Sequence, residues 1–348
     1  MRISTQLGYA GGFHEAVEEV REFEKAGLDT VWVAEAWGFD AVSFMGYLAA
    51  TTERVEIASG ILPVFTRTPA LLAMTAAGVD ALSGGRAMLG LGASGPQVIE
   101  GWHGVPYDAP LTRTREIVEI CRRIWKRERI EFTGKKYQLP LPKGQGTGLG
   151  KPLHMITHPV RDDIPITIAA LTPKSVEMTA EIADGWLPIL FHPTKSRERW
   201  GAALAAGAAR RDSSRGPLRI FAGGPVAFGE GIEDLRNRAR PMMALYVGGM
   251  GARGKNFYNE LFASYGYEKE AAEIQDLFLS GKKQEAAAAI PSSFLDETSL
   301  VGPEGYVRDR LVELKEAGVN NLNVSFAGDT ISERVQTLAR LREITESL

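Results

Sequence analysis

A closed barrel of eight strand-helix units, (β/α)8, is the fold the sequence predicts, on three observations. Short β-rich segments alternate with amphipathic helices along most of the chain. The strands read as continuous apolar runs such as TVWVA and AMLGLG, the mark of a parallel α/β sheet covered on both faces. Such units recur eight times with little interruption. The alternation alone fits either an open doubly wound sheet or a closed barrel, and the count of eight favours closure.

The first unit is a strand from Ile3 to Gly8 with a helix from Gly12 to Ala26, and the second pairs Thr30 to Ala34 with a helix from Asp40 to Thr51. A third strand, Val55 to Ser59, ends in Gly60, and a fourth, Ala87 to Leu91, ends in a glycine-rich loop. Glycines at strand ends let a ligand approach the backbone closely and leave N–H groups free to donate. After helix four, Leu111 to Lys126, the alternating segment ERIEFTGKKYQL predicts an inserted hairpin around Thr133-Gly134. Strand five is Ile164 to Ala169, and Thr172-Pro173-Lys174 opens the helix after it; Asp184-Gly185 then turns into WLPILF. A helix from Thr194 to Arg211, the strand PLRIFAGGPVAF, a helix stopped by Gly318, a last strand and a closing helix from Ser332 complete the series. The interruption is residues 231–291, where the patterns are helical and Gly248 to Gly251 with Gly254 predict a mobile loop. An insertion of this length serves as a lid, a substrate wall or an oligomer contact, or only pads the barrel exterior. The whole chain, 1–348, reads as one domain carrying this insertion.

Composition narrows the function. With 348 residues, 44% hydrophobic and 24% charged, the chain has material for one large core. A net charge of −3 gives no electrostatic reason to expect nucleic acid. The N-terminus lacks a cleavable apolar core, and no stretch approaches the ~20 apolar residues of a membrane span, so a cytoplasmic protein is expected. The lone Cys121 lies on a helical stretch and reads as packing. The five histidines are scattered without HExxH spacing, so no metal site is expected.

In a barrel, groups that act on a ligand sit at the carboxyl ends of strands. Those positions offer Glu35, Trp37 and Asp40 after strand two, Gly60, Ile61 and Thr66 to Pro69 after strand three, and Ala93, Ser94, Gly95 and Pro96 after strand four. Trp102, His103 and Tyr107 lie downstream of that loop, and Ala170, Leu171, Thr172, Pro173 and Lys174 follow strand five. Gly90, Gly92 and Gly95 form a literal GxGxxG with Glu116 about twenty residues on. The context speaks against a dinucleotide fingerprint, since three units precede it and Pro96 follows directly. His103 suits a proton-transfer or hydrogen-bonding role. Glu35 either faces the barrel mouth or is paired with a strand-end base such as Arg67. Thr172 and Pro173 make a good helix start, explained by ordinary capping or, with Lys174, by a phosphate.

At these residues the sequence resembles the luciferase-like superfamily of flavin- and deazaflavin-dependent oxidoreductases. The similar stretches include VWVAEAW, IAALTPKSVEMTAEIADGWLP, EAGVNNLNVSF and above all ASGILPVFTRTPALLAMTAAGVDALSGGRAMLGLGASGP. Within it the chain is most similar to enzymes using the 5-deazaflavin coenzyme F-420 and to methylene-tetrahydromethanopterin reductase. The resemblance implies a TIM barrel with inserted segments, usually dimeric, acting on a small-molecule substrate. It matches Gly60-Ile61 to a non-prolyl cis peptide behind the deazaflavin ring, Ala93 to Pro96 to the loop on the coenzyme side chain, and Ala170 to Pro173 to the phosphate turn; Thr66 and Lys174 are further candidates for binding the coenzyme. Alcohol dehydrogenases of the family carry Asp-His after strand two, where this chain has Glu35-Ala36. The missing base points to a reductase of an electron-poor C=C or C=N acceptor, with Glu35 tuning or protonating ring or substrate. FMN in the same pocket would make the protein a monooxygenase, and a non-catalytic flavin-binding barrel is the third alternative. Phe65, Trp37, Trp102, Phe257 and Tyr258 would give the substrate pocket an apolar lining.

Overall fold

The computed structural model describes residues 1–8 and 12–348. Eight parallel strands are hydrogen-bonded in order: β1 (Arg2–Gln6), β2 (Thr30–Val33), β3 (Glu56–Ser59), β4 (Ala87–Gly92), β5 (Ile166–Ile168), β6 (Gly185–Trp186), β7 (Arg219–Ala222) and β8 (Asn321–Phe326). Pairing of Arg2 with Asn321 and of Thr5 with Val324 closes β8 onto β1, so the sheet is a (β/α)8 barrel. The helices that follow the strands are α1 (Phe13–Lys25), α2 (Ala41–Thr51), α3 (Pro69–Ser83), α4 (Pro110–Trp125), α5 (Pro173–Ile182), α6 (Ser196–Ala208), α7 (Glu304–Glu316) and α8 (Ile331–Ser347). No described helix is long and apolar enough to cross a membrane.

Side chains alternate between the helix shell and the barrel interior. At the amino end the interior is polar: Glu56 accepts from Thr30 Oγ1 (2.8 Å) and Arg219 Nη2 (2.7 Å) and lies 2.9 Å from Arg2 Nη2. Trp32, Ala58, Met88 and Phe221 fill the middle, with the Trp32 and Phe221 rings edge-on at 4.9 Å. One alternation further along the strands come Ala34, Gly60, Gly90 and Gly223, which carry little or no side chain. The large apolar side chains of the plug therefore end below the mouth.

Three segments depart from the sequence expectation, each for a backbone reason. PLRIFAGGPVAF is not one strand: it breaks at Gly223-Gly224, and its second half, Pro225–Phe228, runs between the end of β8, where Val226 pairs with Phe326, and Leu300–Gly302, a strand the sequence does not announce. A Cβ at Gly223 would stand 2.6 Å from Asn323 O and one at Gly224 2.2 Å from Thr298 O, so only glycine permits that step. WLPILF contributes only Trp186 to β6, because Pro188 has no N–H to continue the ladder. Gly248 and Gly249 lie in a helical turn, Leu245–Gly249, rather than in an open loop. A Cβ at Gly248 would stand 2.5 Å from the Phe278 Cβ and one at Gly249 2.3 Å from its ring, so these glycines serve close packing.

The predicted hairpin is present, Phe132–Thr133 against Gln138–Leu139. The 231–291 segment is helical, including Phe257–Ala263 and Glu268–Leu279, and it leaves from the carboxyl end of β7 on the mouth side. It is tied to β6 by an aromatic cluster in which Trp200 meets Trp186 and Tyr265 edge-on, and Tyr265 lies beside His192.

Candidate active site

Gly60 is held to β2 by donation to Val33 O (2.7 Å), and the Gly60–Ile61 peptide is cis. Its neighbour β4 is drawn close to β3: Ser59 Oγ accepts from Gly90 N at 2.8 Å and donates to Gly90 O at 2.9 Å. A Cβ at Gly90 would stand 1.7 Å from Ser59 O, and one at Gly92 would meet the Ile61 side chain at 3.0 Å. The strand-three and strand-four ends thus converge because both glycines lack a side chain.

Across β4 lies β5, with Ala169 N donating to Leu91 O (2.9 Å). Beyond it two indoles fix the chain: Trp186 Nε1 donates to Ala170 O (2.9 Å) and Trp200 Nε1 to Leu171 O (2.7 Å). In a planar trans peptide the next N–H points opposite the carbonyl, so those of Leu171 and Thr172 are turned away from the indoles. Among the described residues, the N–H groups of Ala93, Ser94, Gly95, Ala170, Leu171 and Thr172 donate to nothing. Thr172 caps α5, its Oγ1 accepting from Ser175 N (3.3 Å), and Pro173 occupies the first turn. Capping is therefore real, and it spends the hydroxyl while leaving the backbone donors. Lys174 is exposed at the same helix start. Sequence patterns do not reveal Trp186 and Trp200 as anchors, because each reads as an apolar core residue and its single donor has no sequence signature.

After β2, Glu35 is buried and engaged. Arg67 Nη1 donates to its Oε1 at 2.7 Å and Nη2 to Oε2 at 2.6 Å, and Ala41 N adds a bond to Oε2 at 3.1 Å. Those bonds also hold the Arg67 guanidinium above its ordinary pKa. Of the two readings of Glu35, the pairing with Arg67 is the one seen. Arg67 Nη1 also reaches Thr66 Oγ1 at 3.3 Å. His103 ends the short helix Pro96–Gly101 region with its N–H on Val98 O, and its Nε2 is buried with no partner among the described residues. Phe65 is buried in a stack with Tyr107 at 4.9 Å, whereas Trp37 and Trp102 are 49% and 67% exposed. Phe257 is 41% exposed, and Tyr258 lies edge-on to Tyr246 at 4.9 Å.

Glu116, the acidic residue of the apparent fingerprint, caps the hairpin instead, accepting from the N–H groups of Lys135 (2.7 Å), Lys136 (3.0 Å) and Tyr137 (2.9 Å). Cys121 is buried with its thiol pushed far up by desolvation, so it is packing and not a nucleophile. Among the described residues no group of three or more His, Cys, Asp or Glu could hold a metal ion. The loops after β4 and β5 thus present free backbone donors beside the glycine-lined end of β3, a donor set that suits a phosphate-bearing side chain.

The model of the luciferase-like monooxygenase family matches residues 1–321. A Mycobacterium tuberculosis protein named as a candidate coenzyme F-420-dependent oxidoreductase is 42% identical over 347 residues, 98% of this chain and 99% of that one. The 5,10-methylenetetrahydromethanopterin reductase of Archaeoglobus fulgidus is 28% identical over 317 residues, 89% of each chain. Among solved structures, the coenzyme F-420-dependent tetrahydromethanopterin reductase of Methanopyrus kandleri superposes with a TM-score of 0.79 at 18% identity over 97% of both chains, a likeness of fold. By the family model and the 42% identity together, this chain belongs to the luciferase-like monooxygenase family.

Proposed function

We propose that this chain is a coenzyme F-420-dependent oxidoreductase that works as a reductase, passing a hydride to an electron-poor C=C or C=N bond of a small organic substrate. The observation that carries the reading is the row of unspent N–H groups at the ends of β4 and β5, beside strand ends of glycine and alanine. The relatives from M. tuberculosis and M. kandleri bear this coenzyme in their names, which favours the deazaflavin over FMN. The direction rests on Glu35: its carboxylate is committed to Arg67 and Ala36 follows it, so the end of β2 offers no free base to take a proton from an alcohol.

When bound, the coenzyme supplies a hydride at one ring carbon. The N–H groups of Ala93 to Gly95 and of Ala170 to Thr172 bind its side chain, and Lys174 adds positive charge where the α5 dipole already favours an anion. Pro96 ends that loop, Gly60 and Ile61 back the ring, and Thr66, oriented by Arg67, borders it. Pro173 fixes the helix start. Phe65, Trp37 and Trp102 offer the acceptor apolar surface within reach of one ring face. His103, with an unspent ring nitrogen, holds or delivers the proton that accompanies reduction. The protein acts in the cytoplasm as a homodimer.

Titrating the apoprotein with the deazaflavin and with FMN, each oxidised and reduced, while following tryptophan fluorescence tests the reading. Micromolar or tighter binding of the deazaflavin alone is the expected result. A preference for reduced FMN would move the protein to oxygen chemistry, and binding of neither would overturn the coenzyme assignment.

A further inference from the structure

Between β4 and α4 the chain carries Tyr107, and its side chain reaches back to the loop it has just left. Tyr107 Oη donates to Ser94 O at 3.3 Å while its ring stacks on Phe65 at 27°. Ser94 has φ of 58°, the left-handed region that a serine adopts only when its surroundings hold it there. The bond to Ser94 O fixes the Ser94–Gly95 peptide and with it the direction of the Gly95 N–H, which points opposite the carbonyl. Burial raises the Tyr107 pKa, so the phenol stays a donor throughout the working pH range.

The inserted hairpin makes a matching contact one loop over. Tyr137 Oη donates to Val64 O at 3.4 Å, in the segment between Ile61 and Phe65. Arg113 links Tyr137 to the Phe65 ring on which Tyr107 stacks: its guanidinium lies 5.2 Å from the Phe65 ring centroid and 5.7 Å from that of Tyr137, and Nη1 donates to Tyr137 Oη at 3.4 Å. Asp108 fixes this arginine, accepting from Nε at 3.0 Å and Nη2 at 2.6 Å, and also receives Lys136 from the hairpin. Glu116 anchors the hairpin turn to α4 through the three backbone bonds described above.

We propose that Tyr107 and Tyr137 are positioning residues: the hairpin after α4, acting through Arg113, sets the spacing and orientation of the loops after β3 and β4 that enclose the coenzyme. This rests on the coenzyme reading of the site. The two hydroxyl bonds are long for O–H···O, so they orient the loops more than they stabilise the fold. They also give the insertion a purpose that its distance from the strand ends in sequence conceals.

Tyr107→Phe keeps the stack and removes only the hydroxyl. It should raise the Kd for the deazaflavin about tenfold, the order of one lost hydrogen bond, with Tm within about 2 °C of the parent and kcat retained at saturating coenzyme. Tyr137→Phe should act in the same direction, and the double variant should fall short of the product of the two effects, because Arg113 couples them. Phe65→Leu, which leaves both hydroxyls, should lower Tm more and raise Kd less than either. Hydrogen exchange over residues 94–99, whose amides at Val98 and Ile99 are bonded to Gly95 O, gives a readout without coenzyme and should quicken in Tyr107→Phe. If the parent protein binds the deazaflavin and both Phe variants bind it equally well, the positioning role is overturned. If the parent binds no coenzyme, the functional reading fails, and exchange decides alone: faster exchange upholds loop positioning, and unchanged exchange ends it.

Discussion

Glu35→Gln separates the two uses a carboxylate can have at the end of β2. The Glu35 and Arg67 side chains are only 10% and 15% exposed, and removing the Glu35 charge leaves the buried guanidinium with only Asp40, 4.0 Å away, opposite it, a loss of up to about 3 kcal/mol. Urea denaturation of Glu35→Gln should show that loss, while the pH profile of hydride transfer keeps its shape. Unchanged stability with a missing limb in the profile would make Glu35 a proton donor after all. The sequence left both uses open because Arg67 follows in the next unit, and only closure of β2 beside β3 brings the two together. At the opposite end of the barrel, desolvation pushes the Glu56 pKa up, but the hydrogen bond from Arg219 and the charges of Arg219 and Arg2 outweigh it and hold the carboxyl below its ordinary value. A depressed folded pKa contributes stability that is complete above the unfolded value, about 4.3, and is lost as pH falls through the folded one. Urea midpoints should therefore fall below about pH 4 in the parent and fall less steeply in Glu56→Gln, and equal slopes would contradict the assignment. Glu56 escaped the sequence reading because a glutamate opening an apolar strand resembles an ordinary exposed strand end.

The start of α5 combines a cap and an anion site, and different substitutions address each. Thr172→Ala removes the acceptor for Ser175 N and should cost about 1 kcal/mol through the cap alone, so a change in coenzyme affinity there would be ambiguous. Lys174→Ala touches no cap and should leave Tm unchanged while weakening coenzyme binding several-fold, more at low salt than at high. Unchanged affinity of Lys174→Ala at low salt would remove the lysine from the site, whatever Thr172→Ala does. The helix start was legible in the Thr-Pro-Lys sequence, since capping chemistry is local. The donors that matter were not, since Trp186 and Trp200 come from β6 and α6 and meet Ala170 and Leu171 only in the fold.

For the molecule as a whole, the barrel was readable because each unit announces itself by period and by the glycines that end it. The strand Leu300–Gly302 was not, since three residues have no period, and neither was the step at Gly223-Gly224, which exists because two backbones meet there. The outer helices pose the remaining question of assembly. A helix on a barrel surface normally shows a polar outward face, yet α2 and α3 read AVSFMGYLAAT and PALLAMTAAGVDALS, apolar nearly all round. They pack on each other and still leave Tyr47, Leu71, Met74 and Leu82 outward, Met74 58% and Leu82 67% exposed. We propose that this apolar face on two adjacent helices is where two copies of the chain meet, in line with the homodimer that the family resemblance implies. Sedimentation velocity at micromolar concentration should therefore give a dimer. The Met74→Lys, Leu82→Lys double variant should sediment as a monomer with an unchanged circular dichroism spectrum, because neither side chain belongs to the core. A parent protein that is monomeric under the same conditions would leave the face without this occupant, and a double variant that stays dimeric would place the interface elsewhere on the barrel.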